Sequence, residues 1–276
     1  MTRYGMVIDV SKCVGCYNCF LTCRDEFAGN EYPGYAAAQP MSGMNWTRLI
    51  ELERGTYPKV KVNYVPVQCN HCDNCTAMKF AEDGAMYKRP DGIVMIDPVK
   101  AKGQKAVVNG CPYREIEWNE ELQLPQKCNM CAHLLDAGEP EPRCVESCPS
   151  GARVFGDLDD PTSAISKLVA AGATETMHPE YGLKEKVTYK NLPQKFVAGT
   201  VVYGDIDEVA AGIDVVLASE AGTETATTNG FGDFEFEGLP ANTKFTVKIE
   251  APGYKAASCE TKTSKDVYLG EIVLTK

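Results

Sequence analysis

The sequence predicts an α+β protein made of a cysteine-rich N-terminal domain, a linker and an all-β C-terminal sandwich. Twelve of the thirteen cysteines lie between Cys13 and Cys148, in tight groups typical of metal or cluster sites. Short, alternating, β-branched runs fill the end of the chain, with turn residues between them. The 276 residues suffice for two ordinary domains. The predicted boundaries are 1–171 for the first domain, 172–195 for the linker and 196–276 for the sandwich.

Charge and hydropathy argue against several classes of function. The formal net charge of −10 disfavours a nucleic-acid partner, because the phosphate backbone is itself negative. The apolar runs are too short for a transmembrane helix. The opening residues MTRYGMVIDVSKC have neither the features of a secretory signal nor a twin arginine. We therefore expect a cytoplasmic protein without a membrane span.

Three short elements are predicted in the N-terminal domain besides its cysteine loops. YGMVIDV at 4–10 predicts a strand that leads into the first loop, and DGIVMID at 91–97 predicts another. PTSAISKLVAA at 161–171 predicts a helix, with Pro161 in its first turn and Gly172 at its C-terminal stop. The linker has little periodicity and several Pro and Gly residues.

The stretch from Glu26 to Lys61 is long for a connection between two cysteine motifs. It contains EYPGYAAAQPMSGMNW, which is poor in charge and rich in small, Met and aromatic residues. One interpretation is an insertion packed over the cysteine sites. The other is a contact surface for a large partner, since Met and aromatic residues are enriched in interface cores.

The cysteine spacing favours iron–sulfur clusters. The groups are Cys13, Cys16, Cys19 and Cys23; Cys69, Cys72 and Cys75; Cys111, before Pro112; and Cys128, Cys131, Cys144 and Cys148, before Pro149. Disulfide scaffolds are usually short, exported chains. Zinc sites usually show two C-x2-C pairs a dozen or more residues apart. A triplet with x2 spacing suits three corners of a [4Fe–4S] cluster, with a fourth thiolate from elsewhere.

The twelve cysteines divide into three sets of four. In bacterial ferredoxins the fourth cysteine of a C-x2-C-x2-C-x3-C-P run ligates the other cluster, which pairs the first group here with the last. The expected ligands are set 1, Cys13, Cys16, Cys19 and Cys148; set 2, Cys23, Cys128, Cys131 and Cys144; and set 3, Cys69, Cys72, Cys75 and Cys111.

These motifs resemble the four-cluster, ferredoxin-like electron-transfer subunits of the dimethyl sulfoxide reductase family of molybdenum enzymes. Over residues 1–195 the matching stretches are DVSKCVGCYNC, VQCNHCDNC, YKRPDGIVMIDPVK, NGCPYRE, QKCNMC and CVESCPSGARVFGDLDDPTSAISKL. The resemblance implies a doubled bacterial-ferredoxin-like fold whose clusters relay electrons. It also implies a large catalytic partner that carries molybdenum bis-pterin guanine dinucleotide.

Four cysteines that the family pattern requires are absent. Lys79, Ala101, Gln104 and Val107 stand at those positions, and Phe80 stands where a proline would follow the first. Under crossed ligation these four positions would bind one cluster. Because one whole set is missing and the others are complete, the resemblance implies three [4Fe–4S] clusters.

The end of the chain predicts short strands. The runs are VAGTVVYG, GIDVVLAS, TETATT, GDFEFEGL, KFTVKIEA and VYLGEIVL. Their order resembles the carboxypeptidase-regulatory-like, or prealbumin-like, β-sandwich, which implies docking rather than catalysis. Three clusters with an extra β domain resemble a subgroup of the molybdenum family, the transhydroxylases that move a hydroxyl group on a trihydroxybenzene.

Several other residues are candidates for functional groups. His71 is expected to be a loop residue that at most donates a hydrogen bond to a cluster, and His133 and His178 are expected to be structural. Cys259 is expected to be a small, half-buried side chain. Lys79 either raises the potential of a nearby cluster through its charge or is a solvated side chain that fills the vacated volume.

No catalytic motif is present in the sequence. It contains no Ser-His-Asp grouping, phosphate-binding loop or dinucleotide fingerprint. We therefore expect a non-catalytic electron-transfer subunit of a heterodimer or larger complex, with the active site on its partner. Two alternatives stay open: a subunit of another molybdenum or tungsten oxidoreductase, and a free-standing polyferredoxin or adhesion-type module whose clusters are mainly structural.

Overall fold

The structure, a computed structural model, describes residues 2–172 and 174–276. It divides into two compact units. The first comprises Met1–Glu51 and Asn63–Leu192, and the second comprises Leu52–Val62 and Pro193–Lys276. Most of the segment predicted as a linker therefore lies in the first unit. None of the helices in the described ranges is both long and apolar enough to span a bilayer.

Short strands outnumber helices in both units. The strands are β1 (Tyr4–Asp9), β2 (Thr47–Thr56), β3 (Lys59–Gln68), β4 (Met86–Lys88), β5 (Val94–Ile96), β6 (Glu117–Asn119), β7 (Leu124–Gln126), β8 (Arg153–Asp157), β9 (Val187–Lys190), β10 (Lys195–Tyr203), β11 (Glu208–Val209), β12 (Asp214–Ser219), β13 (Gly222–Thr227), β14 (Asp233–Leu239), β15 (Lys244–Ile249), β16 (Ala257–Lys262) and β17 (Val267–Leu274). The α-helices are α1 (Asn18–Phe27), α2 (Ala132–Asp136), α3 (Arg143–Glu146) and α4 (Ala164–Ala170), and 3-10 helices lie at Val10–Lys12, Thr76–Phe80, Lys105–Gly110 and Pro179–Tyr181.

A three-stranded sheet joins distant parts of the first unit. Its central strand, β1, pairs antiparallel with β8 and parallel with β9. The prediction of a strand at 4–10 is confirmed, and Met6 and Ile8 are fully buried in it. Because β1 ends just before Cys13 and β8 begins just after Cys148, the sheet brings the first and last cysteine motifs to one edge.

The cysteine motifs are built as two packed pairs. Helix α1 packs against α3, and the 3-10 helix Thr76–Phe80 packs against the 3-10 helix Lys105–Gly110. The first pair belongs to the motifs of sets 1 and 2, and the second pair belongs to the motif of set 3. The strand predicted at 91–97 is present as β5, which pairs with β4 in a hairpin. This arrangement agrees with the doubled ferredoxin-like fold.

The helix predicted at 161–171 begins later than expected. Helix α4 starts at Ala164, so Pro161 lies in the preceding turn and not in the first turn of the helix. Ser163 fixes the start, because its side-chain oxygen accepts a hydrogen bond from the Ser166 amide at 3.1 Å. The side-chain cap of Ser163, and not Pro161, therefore sets the start of this helix.

The long stretch after α1 packs inside the first unit and then forms a hairpin. Phe27, Met44 and Trp46 are almost fully buried, as expected for an insertion packed over the cysteine sites. Strands β2 and β3 follow and pair with each other. This hairpin was not predicted, although the alternation KVKVNYV in β3 is its sequence signal.

The second unit contains the predicted β-sandwich. One four-stranded sheet comprises β11, β10, β14 and β17, and the other comprises β13, β12, β15 and β16. Their inner faces share one apolar core: Val197, Val201, Phe234, Phe236 and Leu274 from the first sheet and Val215, Leu217, Phe245, Val247 and Ile249 from the second. Strands β11 and β16 were not predicted. Cys259 lies half-buried on β16 beside this core.

Replacing Phe236 with Ala should destabilise the sandwich by about 3–5 kcal/mol, because it removes a buried ring from the shared core. Phe231→Ala is the matched control, since Phe231 is 76% exposed and its loss should cost less than about 0.5 kcal/mol. Hydrogen–deuterium exchange of β10 and β14 measures both effects. Equal exchange in the two variants would contradict the assigned core.

Candidate iron–sulfur centres

The structure places members of each expected cysteine set near one another, as the electrostatic neighbours of the thiols indicate. In set 1, burial raises the pKa of the Cys13 thiol, and the charges of Cys19 and Cys148 add to this effect. Cys16 lies in the same loop and is exposed. The last cysteine of the chain's final motif is therefore an electrostatic neighbour of the first motif.

Set 2 is the most deeply buried. Burial raises the pKa of Cys131 well above its ordinary value, and Cys144, Cys128 and Cys23 each add to the increase. Burial likewise raises the pKa of Cys23 to about 12, with Cys144 as its strongest charged neighbour. Cys23 thus faces the final cysteine motif, as crossed ligation requires.

Set 3 combines the second motif with the lone downstream cysteine. Burial raises the pKa of the Cys72 thiol, and the charges of Cys69, Cys75 and Cys111 raise it further, together with that of Glu185. Cys69 and Cys72 are buried, whereas Cys75 and Cys111 are half-buried.

Set 2 lies between the other two sets. Cys19 of set 1 is among the charged neighbours of Cys144 of set 2, and Cys69 of set 3 is among those of Cys128 of set 2. All four thiols of set 2 are buried, while sets 1 and 3 each keep partly exposed members. The order of the sets is therefore 1, 2, 3, with both ends nearer the solvent than the middle.

A zinc ion and a [4Fe–4S] cluster need different distances between their thiolate ligands. Within the described ranges, no three His, Cys, Asp or Glu side chains lie close enough together to hold one metal ion. Zn–S bonds of about 2.3 Å place the four thiolates of a zinc site about 3.8 Å apart. A [4Fe–4S] cluster binds each thiolate through a different iron, so its ligands lie farther apart.

Each cysteine loop contains backbone in the left-handed region. Gly15, His71, Met130 and Cys131 have φ values of 67°, 46°, 53° and 51°. Such residues turn successive amide N–H groups toward one point, which creates a concave site for an anion. At Gly15 an added Cβ would also lie 2.7 Å from the ring of Tyr64, so only glycine fits there.

Backbone amides already point at the thiols. Burial raises the pKa of Cys69 to about 11, and a hydrogen bond from the His71 amide opposes part of that rise. Cys148 shows the strongest effect. Burial alone would raise its pKa, yet hydrogen bonds from Ser150 and from the amides of Ala152 and Arg153 leave it below its ordinary value. These donors favour anionic sulfur.

The buried side chains of His71 and Arg153 lie beside the thiols and carry N–H groups that lack a protein acceptor within the described ranges. The Val94 amide donates to Nδ1 of His71 at 3.1 Å, which places the ring proton on the buried Nε2. Burial, followed by the charge of Lys127, lowers the pKa of His71 well below its ordinary value, so the ring is neutral. Among the described residues, no atom accepts a hydrogen bond from Nε2 of His71 or from Nε and Nη2 of Arg153. Sulfides of a bound cluster would accept such bonds, so these residues fit the group.

The positions of the four missing cysteines lie around a closed apolar core. Ala101 and Val107 are fully buried in it, and Cys75 and Cys111 pack against it. Gln104 uses its side chain to bind the backbone of Glu82 and Lys100. Lys79 is exposed. No thiol or imidazole replaces the four lost ligands at these positions.

The other histidines have structural contacts. His133 lies 2.9 Å from a carboxylate oxygen of Glu26 and stacks on Tyr32, with ring centroids 3.8 Å apart. His178 contacts Glu180 at 2.9 Å and stacks on Tyr181.

Two buried cations beside the thiols were missed from the sequence. Arg153 and Lys127 are each only 4% exposed. Their sequence signal is their closeness to the cysteine motifs, because Lys127 precedes Cys128 directly and Arg153 follows Cys148 by five residues. Composition alone would have placed both side chains at the surface.

Two family models match the chain. The 4Fe–4S dicluster domain matches residues 60–158, and the carboxypeptidase regulatory-like domain matches residues 197–271. The first includes set 3 and most of set 2, and the second includes most of the sandwich.

Whole-chain comparison finds similar curated proteins. The small subunit of pyrogallol hydroxytransferase from Pelobacter acidigallici is 44% identical over 99% of this chain and 100% of its own length. The iron–sulfur subunit of an arsenate respiratory reductase from a Shewanella strain is 32% identical over 68% of this chain and 95% of its own length. The iron–sulfur subunit of a putative dimethyl sulfoxide reductase from Halobacterium salinarum is 34% identical, covering 69% of this chain and 80% of that protein.

Gly110→Ala should disturb the site of set 3. The added Cβ would lie 2.6 Å from the Cα of Ala77 and 2.6 Å from the ring of Phe80, so the two packed 3-10 helices must separate. We expect a cost of about 1–3 kcal/mol and faster hydrogen exchange in both helices. Gly230→Ala is the control, because a Cβ there meets nothing within 4 Å. Unchanged exchange in the Gly110 variant would show that the helices are not tightly packed.

Proposed function

Because this chain belongs to the family of iron–sulfur electron-transfer subunits of molybdenum enzymes, which includes the small subunit of pyrogallol hydroxytransferase, we propose that it serves a transhydroxylase converting pyrogallol to phloroglucinol. The observation that carries the proposal is the 44% identity over 99% of the chain, since that match includes the sandwich as well as the cysteine sets. The other two relatives described match only 68% and 69% of this chain.

The proposed cofactors are three [4Fe–4S] clusters. Sets 1, 2 and 3 would each hold one, with Cys148 completing set 1 and Cys23 completing set 2. When bound, a cluster of this kind exchanges one electron at a time. The chain's own contribution is to hold the thiolates, direct amide N–H groups at them and exclude water from the middle set. Molybdenum bis-pterin guanine dinucleotide belongs, in this proposal, to the large partner subunit alone.

The burial pattern supports a relay with two ends. The four thiols of set 2 are buried, whereas Cys16 of set 1 is exposed and Cys75 and Cys111 of set 3 are half-buried. Val14, between Cys13 and Cys16, and Leu21, on α1 between Cys19 and Cys23, are 65% and 57% exposed. We propose that the large subunit covers this apolar surface around set 1, because apolar contact and a short distance to a cluster coincide there.

A second candidate is a subunit of another molybdenum or tungsten oxidoreductase. The match to 95% of the arsenate reductase subunit favours it, because that protein shares most of its length with this chain. The free-standing polyferredoxin is less supported, since the relatives described are named as subunits. The location proposed for the complex is the cytoplasm, which fractionation of cells with detection of both subunits would test.

The ligand assignment predicts a crossed pattern in double variants. The anaerobically purified complex should contain about twelve irons in this chain, four for each set. Cys23→Ala with Cys131→Ala should alter one cluster, because both residues belong to set 2. Cys23→Ala with Cys16→Ala should alter two. Electron paramagnetic resonance and iron analysis count the affected clusters.

The reverse outcome of these double variants would mean that each run ligates its own cluster. About sixteen irons in the unmodified chain would show that a fourth cluster is present. Abundant zinc with little iron would remove the electron-transfer proposal.

The activity is tested on the complex purified with its partner. We expect a large molybdenum-containing subunit to co-purify and the complex to form phloroglucinol from pyrogallol. Arsenate and dimethyl sulfoxide, with a reduced dye as electron donor, are the comparison substrates. Reduction of either without phloroglucinol formation would favour the second candidate. A lone 30.1 kDa chain after mild purification would favour the free-standing protein.

A further inference from the structure

Two buried cations occupy the two junctions between neighbouring cysteine sets. Arg153 lies between sets 1 and 2, and Lys127 lies between sets 2 and 3. Neither forms an ion pair with a carboxylate of the described residues, although each is only 4% exposed. A buried charge without an opposite charge is strongly unfavourable, so a compensating anion is required.

Thiols are the neighbours of Arg153. Its Nη1 lies 3.7 Å from Sγ of Cys144 in set 2, and it also donates to the side chain of Gln68. Its Nε and Nη2 make no hydrogen bond with the part of the chain that the structure describes. Burial opposes its charge, but Cys144 and then Cys19 of set 1 raise the pKa of the guanidinium. One side chain thus faces thiols of two sets.

Lys127 makes the corresponding contacts at the other junction. Its Nζ donates to the carbonyl of Cys128 in set 2 at 2.9 Å and to the carbonyl of Val94. The amide of Val94 in turn donates to His71, in the loop of set 3. The charge of Lys127 is also the strongest factor opposing the burial-induced rise in the pKa of Cys69 in set 3. The ammonium group therefore lies between two sets, and within the described ranges its hydrogen bonds go to neutral carbonyls.

The charges around the three sets are unequal. Set 3 has carboxylates nearby, with Glu185 acting on Cys72 and Glu115 acting on Cys111. Set 2 has both cations beside it and the deepest burial. Burial by itself disfavours the added negative charge of a reduced cluster, so the middle site would be the hardest to reduce.

We propose that Arg153 and Lys127 are redox-positioning residues that offset the burial of the middle site and keep electron transfer between all three sites favourable. This inference rests on the proposed cluster assignment. Because each cation faces two sets, removing its charge should lower two cluster potentials and leave the third unchanged. The fold itself does not require this pattern, so the pattern separates a redox role from a merely structural one.

The test is a redox titration of the complex, followed by electron paramagnetic resonance, with signals assigned by cysteine variants of each set. In Arg153→Gln, the clusters of sets 1 and 2 should shift to lower potential. In Lys127→Gln, those of sets 2 and 3 should shift. We expect about a tenfold change in the ratio of reduced to oxidised cluster, which is about 59 mV for a one-electron couple. Arg153→Lys and Lys127→Arg, which keep the charge, should stay near the parent potentials.

Lys79→Gln is the matched control. It removes an equal charge close in sequence to set 3, but Lys79 is exposed and water screens it. Its potentials should remain those of the parent, which would also identify Lys79 as a solvated side chain. A shift as large as that of Lys127→Gln would contradict the requirement for burial.

Two results would overturn the proposal. One is full iron content with unchanged potentials in both neutral variants. The other, decisive even if the neutral variants lose iron, is a shift in the charge-retaining variants of tenfold or more. Iron analysis of the unmodified complex tests the proposed function separately, because a chain without clusters fails there before any cation is changed.

Discussion

Anionic sulfur held away from water must be compensated by the protein, and the first unit is organised around this constraint. Four thiolates at one site repel one another, and burial opposes the ionisation of the thiols, as the raised pKa values of Cys23 and Cys131 in set 2 indicate. The groups that stabilise this negative charge are backbone amides directed at the thiols, the N–H groups of His71 and Arg153 that lack a partner among the described residues, and the charges of Arg153 and Lys127. The three-stranded sheet positions these groups, because the pairing of β1 with β8 holds the two segments that enter set 1 next to each other.

The groups that stabilise anionic sulfur differ between the exposed and the buried cysteine sets. Near the surface, amides and a serine hydroxyl suffice to lower the pKa of Cys148. In the middle, dipoles are joined by the full charges of Arg153 and Lys127. Local backbone geometry, tertiary packing and long-range electrostatics thus act together on the same atoms, and the relay proposed for this chain depends on all three.

The sequence predicted the features that depend on the spacing of residues along the chain. The x2 spacing fixed which cysteines share a loop, and the ferredoxin rule named Cys148 and Cys23 as the crossed partners that the structure places beside the corresponding motifs. It also predicted β1 and the two-sheet sandwich from their alternation. Arg153 and Lys127 were missed because charged residues are normally exposed, and only tertiary contacts reveal their burial. The hairpin of β2 and β3 was missed because its alternation carries many charges, and α4 began late because Ser163 capped it.

The apolar core around Ala101 and Val107 has a consequence for how charge leaves this chain. Apolar side chains fill this core, so no fourth cluster would follow set 3 on that side of the proposed relay. An electron that reached set 3 would then either return through set 2 or leave at the half-buried thiols of Cys75 and Cys111. Return to the partner subunit is the route that suits a reaction which consumes no reducing equivalents overall.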